Sequence, residues 1–141
     1  MKKLNFNEFE RGVFLVNLLA VIKKDGKILI GRRENDPYIK KLTWSFPGGR
    51  PDYGDDLEKY LSLEIKKKTN LDAEIKDVIF TKTYPENRQF LSIYFTAEIT
   101  GGEEKAGEKF KELKWVKPEE LKTHFTTSLH PKLLEIIKGL K

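Results

Sequence analysis

Between Gly48 and Leu71 the chain reads GGRPDYGDDLEKYLSLEIKKKTNL, a glycine-bearing loop running into an amphipathic helix that carries charge on its inward face. No other stretch constrains the fold as strongly. Leu57, Tyr60, Leu61 and Ile65 recur at a helical period. At about 100° per residue, Glu64 and Lys68 project within the same apolar stripe, and Lys67 lies at its margin. A carboxylate placed there costs free energy unless a positive group meets it. Asp55 is positioned to cap the first turn, with Glu58 at capping-box spacing, and Asp55, Asp56 and Glu58 all suit the positive end of the helix dipole. Asn70 can take the left-handed conformation that stops a helix.

Around this unit the chain alternates strands and turns. Residues 13–22 are strand-like and apolar, Lys24-Asp25-Gly26 supplies a hairpin turn, and residues 27–32 return. Residues 33–43 form a polar loop holding Pro37, before Trp44-Ser45-Phe46-Pro47-Gly48-Gly49 enters the helix unit. Beyond it, residues 73–84 and 90–99 read as paired strands joined at Pro85-Glu86-Asn87, with Thr100-Gly101-Gly102 ending the pair. Residues 109–116 form a further strand. Pro118-Glu119-Glu120-Leu121 opens a short helix with Pro in its first turn, and residues 129–140 form a closing helix.

The loop and helix resemble the signature box of the Nudix, or MutT-like, hydrolases. The alignment needs no gaps. Gly49 takes the first glycine of the family pattern, Asp55 its first Glu, Glu64 a later Glu, Ile65 the aliphatic position, and Asn70 the closing glycine. The Trp–Pro-Gly-Gly approach and the Pro-Glu-Glu-Leu helix start are familiar from the same family, so the resemblance covers about residues 12–140. It implies an α/β fold, an α/β/α sandwich around a mixed β-sheet, as a single domain over residues 1–141. Members use Mg²⁺ or Mn²⁺ to cleave nucleoside diphosphates linked to another group, so the implied ligand is a nucleotide or other diphosphate. Many relatives are dimers, and a homodimer is open to this chain.

The departures from the pattern matter more than the match. Leu63 stands where the family has Arg, and Lys67 and Lys68 stand where it has a metal-binding Glu pair. Across positions 63, 64, 67 and 68 the formal charge moves from −2 in the family to +1 here. Divalent cations want several oxygen ligands, and ammonium groups offer none. At ~4–6 Å and an effective dielectric of ~20, each ammonium also repels the ion by on the order of 3–4 kcal/mol per unit of the ion's charge. The expectation is therefore no bound cofactor, with hydrolysis lost or weak.

Three functional readings stay open. In the first, ligand binding persists without turnover. Here Lys68 either pairs with Glu64 at i, i+4 and replaces the metal's charge, or joins Lys67 in holding phosphate directly. In the second, Glu64 is the catalytic centre of a rearranged Mg²⁺- or Mn²⁺-dependent pyrophosphohydrolase. Its metal ligands would be Glu64 and Asp55, with Asp52, Glu86, Glu103 and Glu104 as further candidates. In the third, the chain is a non-catalytic interaction domain. Arg32, Gly48, Gly49, Arg50, Lys67 and Lys68 are the candidate substrate contacts, and the two glycines permit a close backbone approach. Arg33 is considered beside Arg32 as an exposed strand-end pair, and Tyr38, Tyr84 and Arg88 are weaker candidates. Trp44 and Phe46 are read as core ahead of base stacking, and His124 and His130 as surface or packing groups.

Composition excludes several classes. Cysteine is absent, so neither a disulfide nor a thiolate zinc site exists. Residues 14–22 are too short an apolar run for a signal core or membrane span, and a cytoplasmic location is expected. The net charge of +5 comes from 22 Lys and 5 Arg interleaved with acids, which describes a solvated surface and not a nucleic-acid patch.

Overall fold

The computed structural model describes residues 12–34 and 42–141, so Tyr38 and most of the expected polar loop lie outside the described residues. In chain order the elements are β1 (Leu15–Lys24), β2 (Lys27–Arg33), β3 (Trp44–Ser45), β4 (Gly48–Gly49), α1 (Leu57–Thr69), β5 (Leu71–Tyr84) and β6 (Asn87–Gly102). They continue with β7 (Phe110–Val116), a 3-10 turn (Pro118–Glu120), α2 (Leu121–His124) and α3 (Pro131–Lys138).

Asp25 and Gly26 join β1 to β2 with φ of 52° and 77°, the left-handed pair whose twist matches a tight hairpin. β1 then lies parallel to β6 from Leu15 against Phe90 to Ile22 against Ala97, while β5 and β6 form a long antiparallel ribbon. With β4 on β1 and both β3 and β7 on β2, the result is a mixed sheet of seven strands.

Alternation along β1 divides the core in two. Leu18, Ala20 and Ile22 pack with Leu61 and Ile65 of α1 on one face. Leu19 and Val21 pack with Leu133, Leu134 and Ile137 of α3 on the other. This is the expected α/β/α sandwich. Leu61, Ile65, Leu133 and Ile137 are wholly buried, each contributing about 1.5–3 kcal/mol through removal of apolar surface from water. Lys23 Nζ donates to the carbonyls of Ile137 (3.2 Å) and Leu140 (2.6 Å), tying the end of α3 to β1. No helix among the described residues is long and apolar enough to cross a membrane.

β1 and β2 pair only at Lys23 and Lys24, next to their turn. Beyond that the strands part, and residues 44–49 fill the gap. Gly48 and Gly49 pair with Leu19 and Leu18, and Ala20 N–H donates to Pro47 O at 2.8 Å. The divergence opens a cleft against α1.

Several element boundaries differ from the sequence reading for local reasons. β1 starts at Leu15, because Val13 and Phe14 project into solvent. β6 runs on through Gly102, and irregularities in its register with β5 absorb the extra length. α3 begins at Pro131, whose fixed φ suits a first helical position, and the His130 ring accepts the Lys132 N–H at 3.1 Å. α1 is capped by Asp56 and not Asp55, with no side-chain cap bond; Asp55 instead accepts the Asp52 N–H at 2.6 Å.

A methyl group on Gly48 would stand 1.9 Å from the Leu18 carbonyl oxygen, a backbone atom that cannot swing away. Gly48→Ala should therefore destabilise the fold by about 3 kcal/mol in urea denaturation, as overpacking does. Gly139→Ala, where a methyl group meets nothing closer than 3.6 Å, should leave the midpoint nearly unchanged.

Candidate functional site

The face of α1 that carries Glu64 rests on the Gly48-Gly49 loop. A Cβ on Gly49 would come within 2.5 Å of the Tyr60 hydroxyl and 3.1 Å of Glu64 Cγ, so the loop backbone reaches the helix only because side chains are missing there. Tyr60 donates its hydroxyl to Arg50 O at 2.9 Å and so anchors the loop's exit.

At the centre of this contact Lys68 Nζ lies 3.2 Å from Glu64 Oε2 and donates to Gly48 O. Glu64 and Lys68 are 7% and 5% exposed, so the pair is shielded from water. Lys67 Nζ stands 3.7 Å from Glu64 Oε1, but that side chain is more than half exposed. Helical geometry explains the difference, since i+4 stays on the buried stripe and i+3 falls at its edge. Burial pulls the Lys68 ammonium below the ordinary lysine range; Glu64 draws it back up, Arg33 lowers it further, and Glu108 opposes that.

The far end of α1 is stitched to residues 103–109. Asn70 adopts φ 62°, and its side-chain amide donates to Glu103 O at 2.8 Å. Lys105 N and Gly107 N donate to the Thr69 and Lys68 carbonyls at 2.9 and 3.0 Å, satisfying helix-end acceptors. This places Glu108 and Lys109 on the cleft.

The cleft measures about 270 Å³. Asn17, Leu19 and Arg33 line it from the β1–β2 side, Ser45, Phe46, Gly48, Gly49 and Arg50 form its floor, and Tyr60, Glu64 and Lys68 face it from α1. Leu42, Tyr84, Glu108, Lys109 and Phe110 complete it. Of the candidates read from sequence, it gathers Arg33, Phe46, Gly48, Gly49, Arg50, Glu64, Lys68 and Tyr84. It does not gather Arg32, which pairs with Glu34 at 2.9 Å and Glu112 at 3.2 Å outside the cleft. Strand alternation carries its neighbour Arg33 inward instead, so the exposed strand-end reading holds for Arg32 alone. Lys67 sits outside the lining, and Asp55 is engaged with the Asp52 backbone.

Of the other acidic candidates, Glu86 accepts from Ser128 N and Oγ at 2.6 and 2.8 Å, and Glu104 accepts from Trp115 Nε1 at 2.5 Å. Neither faces the cleft. Phe46 is core, in ring contact with Tyr94 and Phe125, and Trp44 packs edge-on against His124. Arg88 meets Thr83 on the surface. The sequence reading passed over Tyr60, Glu108 and Lys109 as site residues. Tyr60 was discoverable from its place one turn before Glu64; Glu108 and Lys109 reach the cleft only through the tertiary stitching of their loop.

The residues present do not fit the divalent ion that the box resemblance implies. Glu64 faces ammonium groups through both its oxygens. Among the described residues, no three His, Cys, Asp or Glu side chains converge as a metal cluster.

A mixed sheet between helical layers, with a Gly-Gly loop laid on a charged helix face, is the architecture that the box resemblance calls for. The family model for the NUDIX domain matches residues 14–137, and the chain belongs to the Nudix family. An ADP-ribose pyrophosphatase of Methanocaldococcus jannaschii is 34% identical over 96 residues, covering 66% of this chain and 56% of that protein. This chain thus spans little more than half of that relative's length. The nucleoside triphosphatase NudI of Escherichia coli is 30% identical over 132 residues, covering 85% of this chain and 93% of that protein. Among solved structures, a MutT protein from Methanosarcina mazei superposes with a TM-score of 0.68 at 19% identity, covering 93% of this chain and 94% of that one, which shows a shared fold.

Two outcomes are expected at the site. Lys68→Met should cost about 3 kcal/mol in chemical denaturation, because it leaves Glu64 buried without its principal partner. Lys67→Met should cost less than about 0.5 kcal/mol. The double variant Glu64→Leu/Lys68→Met should recover most of the loss.

Burial, aided by the Glu64 charge, raises the Tyr60 phenol from its usual 10 to about 12. A raised folded-state value means stability is intact below pH 10 and drains away as pH climbs toward 12. Melting temperatures followed across that window should fall less steeply in Tyr60→Phe than in the parent chain.

Proposed function

We propose that this Nudix-family chain binds a nucleotide or related diphosphate without hydrolysing it, Lys68 standing in the cleft where relatives hold metal. The observation that carries this reading is the buried Lys68 ammonium, 3.2 Å from Glu64 Oε2 and donating to Gly48 O. A divalent ion at that point would need to displace a fixed positive charge and would find Glu64 already paired, with Glu108 as the other carboxylate of the lining among the described residues. Arg33, Arg50 and Lys109 share the cleft and supply further positive charge for phosphate oxygens. The cations that line the cleft among the described residues are ammonium and guanidinium groups, which do not coordinate water as a bound metal does. The relatives named as a nucleoside triphosphatase and an ADP-ribose pyrophosphatase support nucleotide-type ligands as the class to try first.

The same relatives favour a second reading, in which Glu64 still supports weak metal-dependent cleavage. Incubation with ADP-ribose and nucleoside triphosphates in Mg²⁺ or Mn²⁺, followed by product chromatography, decides between the two. Thermal shift with and without EDTA then reads binding. Ligand-induced stabilisation that survives EDTA, with no product, is the expected result. Brisk metal-dependent turnover abolished by Glu64→Gln would overturn the binding reading and establish the hydrolytic one. In the reciprocal experiment, Leu63→Arg/Lys67→Glu/Lys68→Glu should gain measurable Mg²⁺-dependent hydrolysis, because it restores the carboxylates on the same helix face.

A further inference from the structure

Residues 125–130 join α2 to α3 without lining the cleft, yet their side chains and backbone reach several parts of its surround. Phe125 packs on Phe46 of the floor, with ring centroids 5.0 Å apart. Thr126 Oγ1 lies 3.2 Å from Thr43 Oγ1, next in the chain to Leu42. Ser128 meets the turn between β5 and β6. Its N–H and hydroxyl donate to the two Glu86 carboxylate oxygens at 2.6 and 2.8 Å. Lys82 Nζ donates to Ser128 O at 3.3 Å and stands 4.3 Å from the centre of the Tyr84 ring. One hairpin therefore grips Ser128 through its N–H, its hydroxyl and its carbonyl.

The two walls served by this segment also touch one another. Leu42 and Tyr84 line the cleft and, with Phe90, form a small buried cluster apart from the two main cores. Three side chains supply little apolar burial with which to hold two chain segments together. The polar anchors add to it, because hydrogen bonds to an ionised carboxylate are stronger than neutral ones. Burial pushes the Glu86 carboxyl up, but the Ser128 hydrogen bonds and the Lys82 charge outweigh it and bring the group below the ordinary glutamate value. Glu86 thus accepts as a carboxylate at neutral pH. We infer that residues 125–130 are a strap joining the Leu42 and Tyr84 walls of the cleft, latched at Glu86–Ser128, and that opening the latch loosens both walls together while α1 stays in place. The device is independent of what the cleft binds.

Hydrogen exchange read by mass spectrometry, at neutral pH and without ligand, tests this. In Glu86→Ala the amides of residues 42–45, remote in sequence from the substitution, should exchange about fivefold faster, and those of residues 87–90 should follow. Glu86→Gln keeps one acceptor oxygen for Ser128 and should fall between Glu86→Ala and the parent chain. Thr126→Val removes the link to Thr43, so adding Glu86→Ala to it should accelerate residues 42–45 no further. Residues 61–68 of α1 should exchange as in the parent chain throughout, which a general loss of stability would not allow. Unchanged exchange at residues 42–45 on loss of the Glu86 carboxylate, or an equal rise at residues 61–68, overturns the inference. Glu86→Gln is judged by the same two criteria, so the test stands even where Glu86→Ala does not fold.

Discussion

A buried ammonium held between a carboxylate one helical turn away and a loop carbonyl organises this molecule. Lys68 joins α1 to the Gly48-Gly49 strand, and through Gly48 to β1. Glu64 is tolerable on the inward face of α1 only because Lys68 and Lys67 approach it. Removing two ions from water is costly, and Coulomb attraction offsets this only with good geometry and added hydrogen bonds. The Gly48 carbonyl supplies one such bond. The pair is thus better regarded as fixing one arrangement of loop and helix than as a large source of stability.

That arrangement also sets the chemistry of the cleft. A divalent ion is exchangeable and leaves when chelated, whereas a lysine belongs to the chain and stays. The charge it supplies is single, is carried at the end of a packed side chain, and cannot polarise water as a metal does. A recess of this kind is suited to holding an anion in place more than to transforming it. The guanidiniums of Arg33, from the β1–β2 side, and Arg50, on the floor, extend the positive character of the cleft.

Local periodicity made the individual elements legible, and the box resemblance supplied their arrangement as a sandwich. The burial of Leu61, Glu64, Ile65 and Lys68 on one stripe follows from 3.6-residue spacing, and the Asp25-Gly26 turn follows from residues that accept positive φ. Errors fell where tertiary contacts outrank local preference. Asp55 has the composition of a helix cap, yet the tight 52–55 turn claims its carboxylate. Arg32 and Arg33 are chemically identical, and strand phase, with a register irregularity between them against β7, sends one to solvent partners and the other to the cleft. Glu108 and Lys109 could not be assigned from sequence, because a hydrogen-bonded segment some forty residues beyond the helix carries them there.

Lys23 lies near the beginning of the described residues, and the carbonyls it grips belong to the last turn of α3 (Ile137) and to Leu140 just beyond it. That single reach spans more than a hundred residues of sequence, so α3 gains its anchor only after the first hairpin has formed and the intervening strands have assembled. Contacts so distant in sequence carry a large loop-closure entropy and form late. The position of the closing helix therefore depends on β1 and the intervening sheet being in place, and Leu19 and Phe46, which pack with α3 and also line the cleft, couple the two through the sheet.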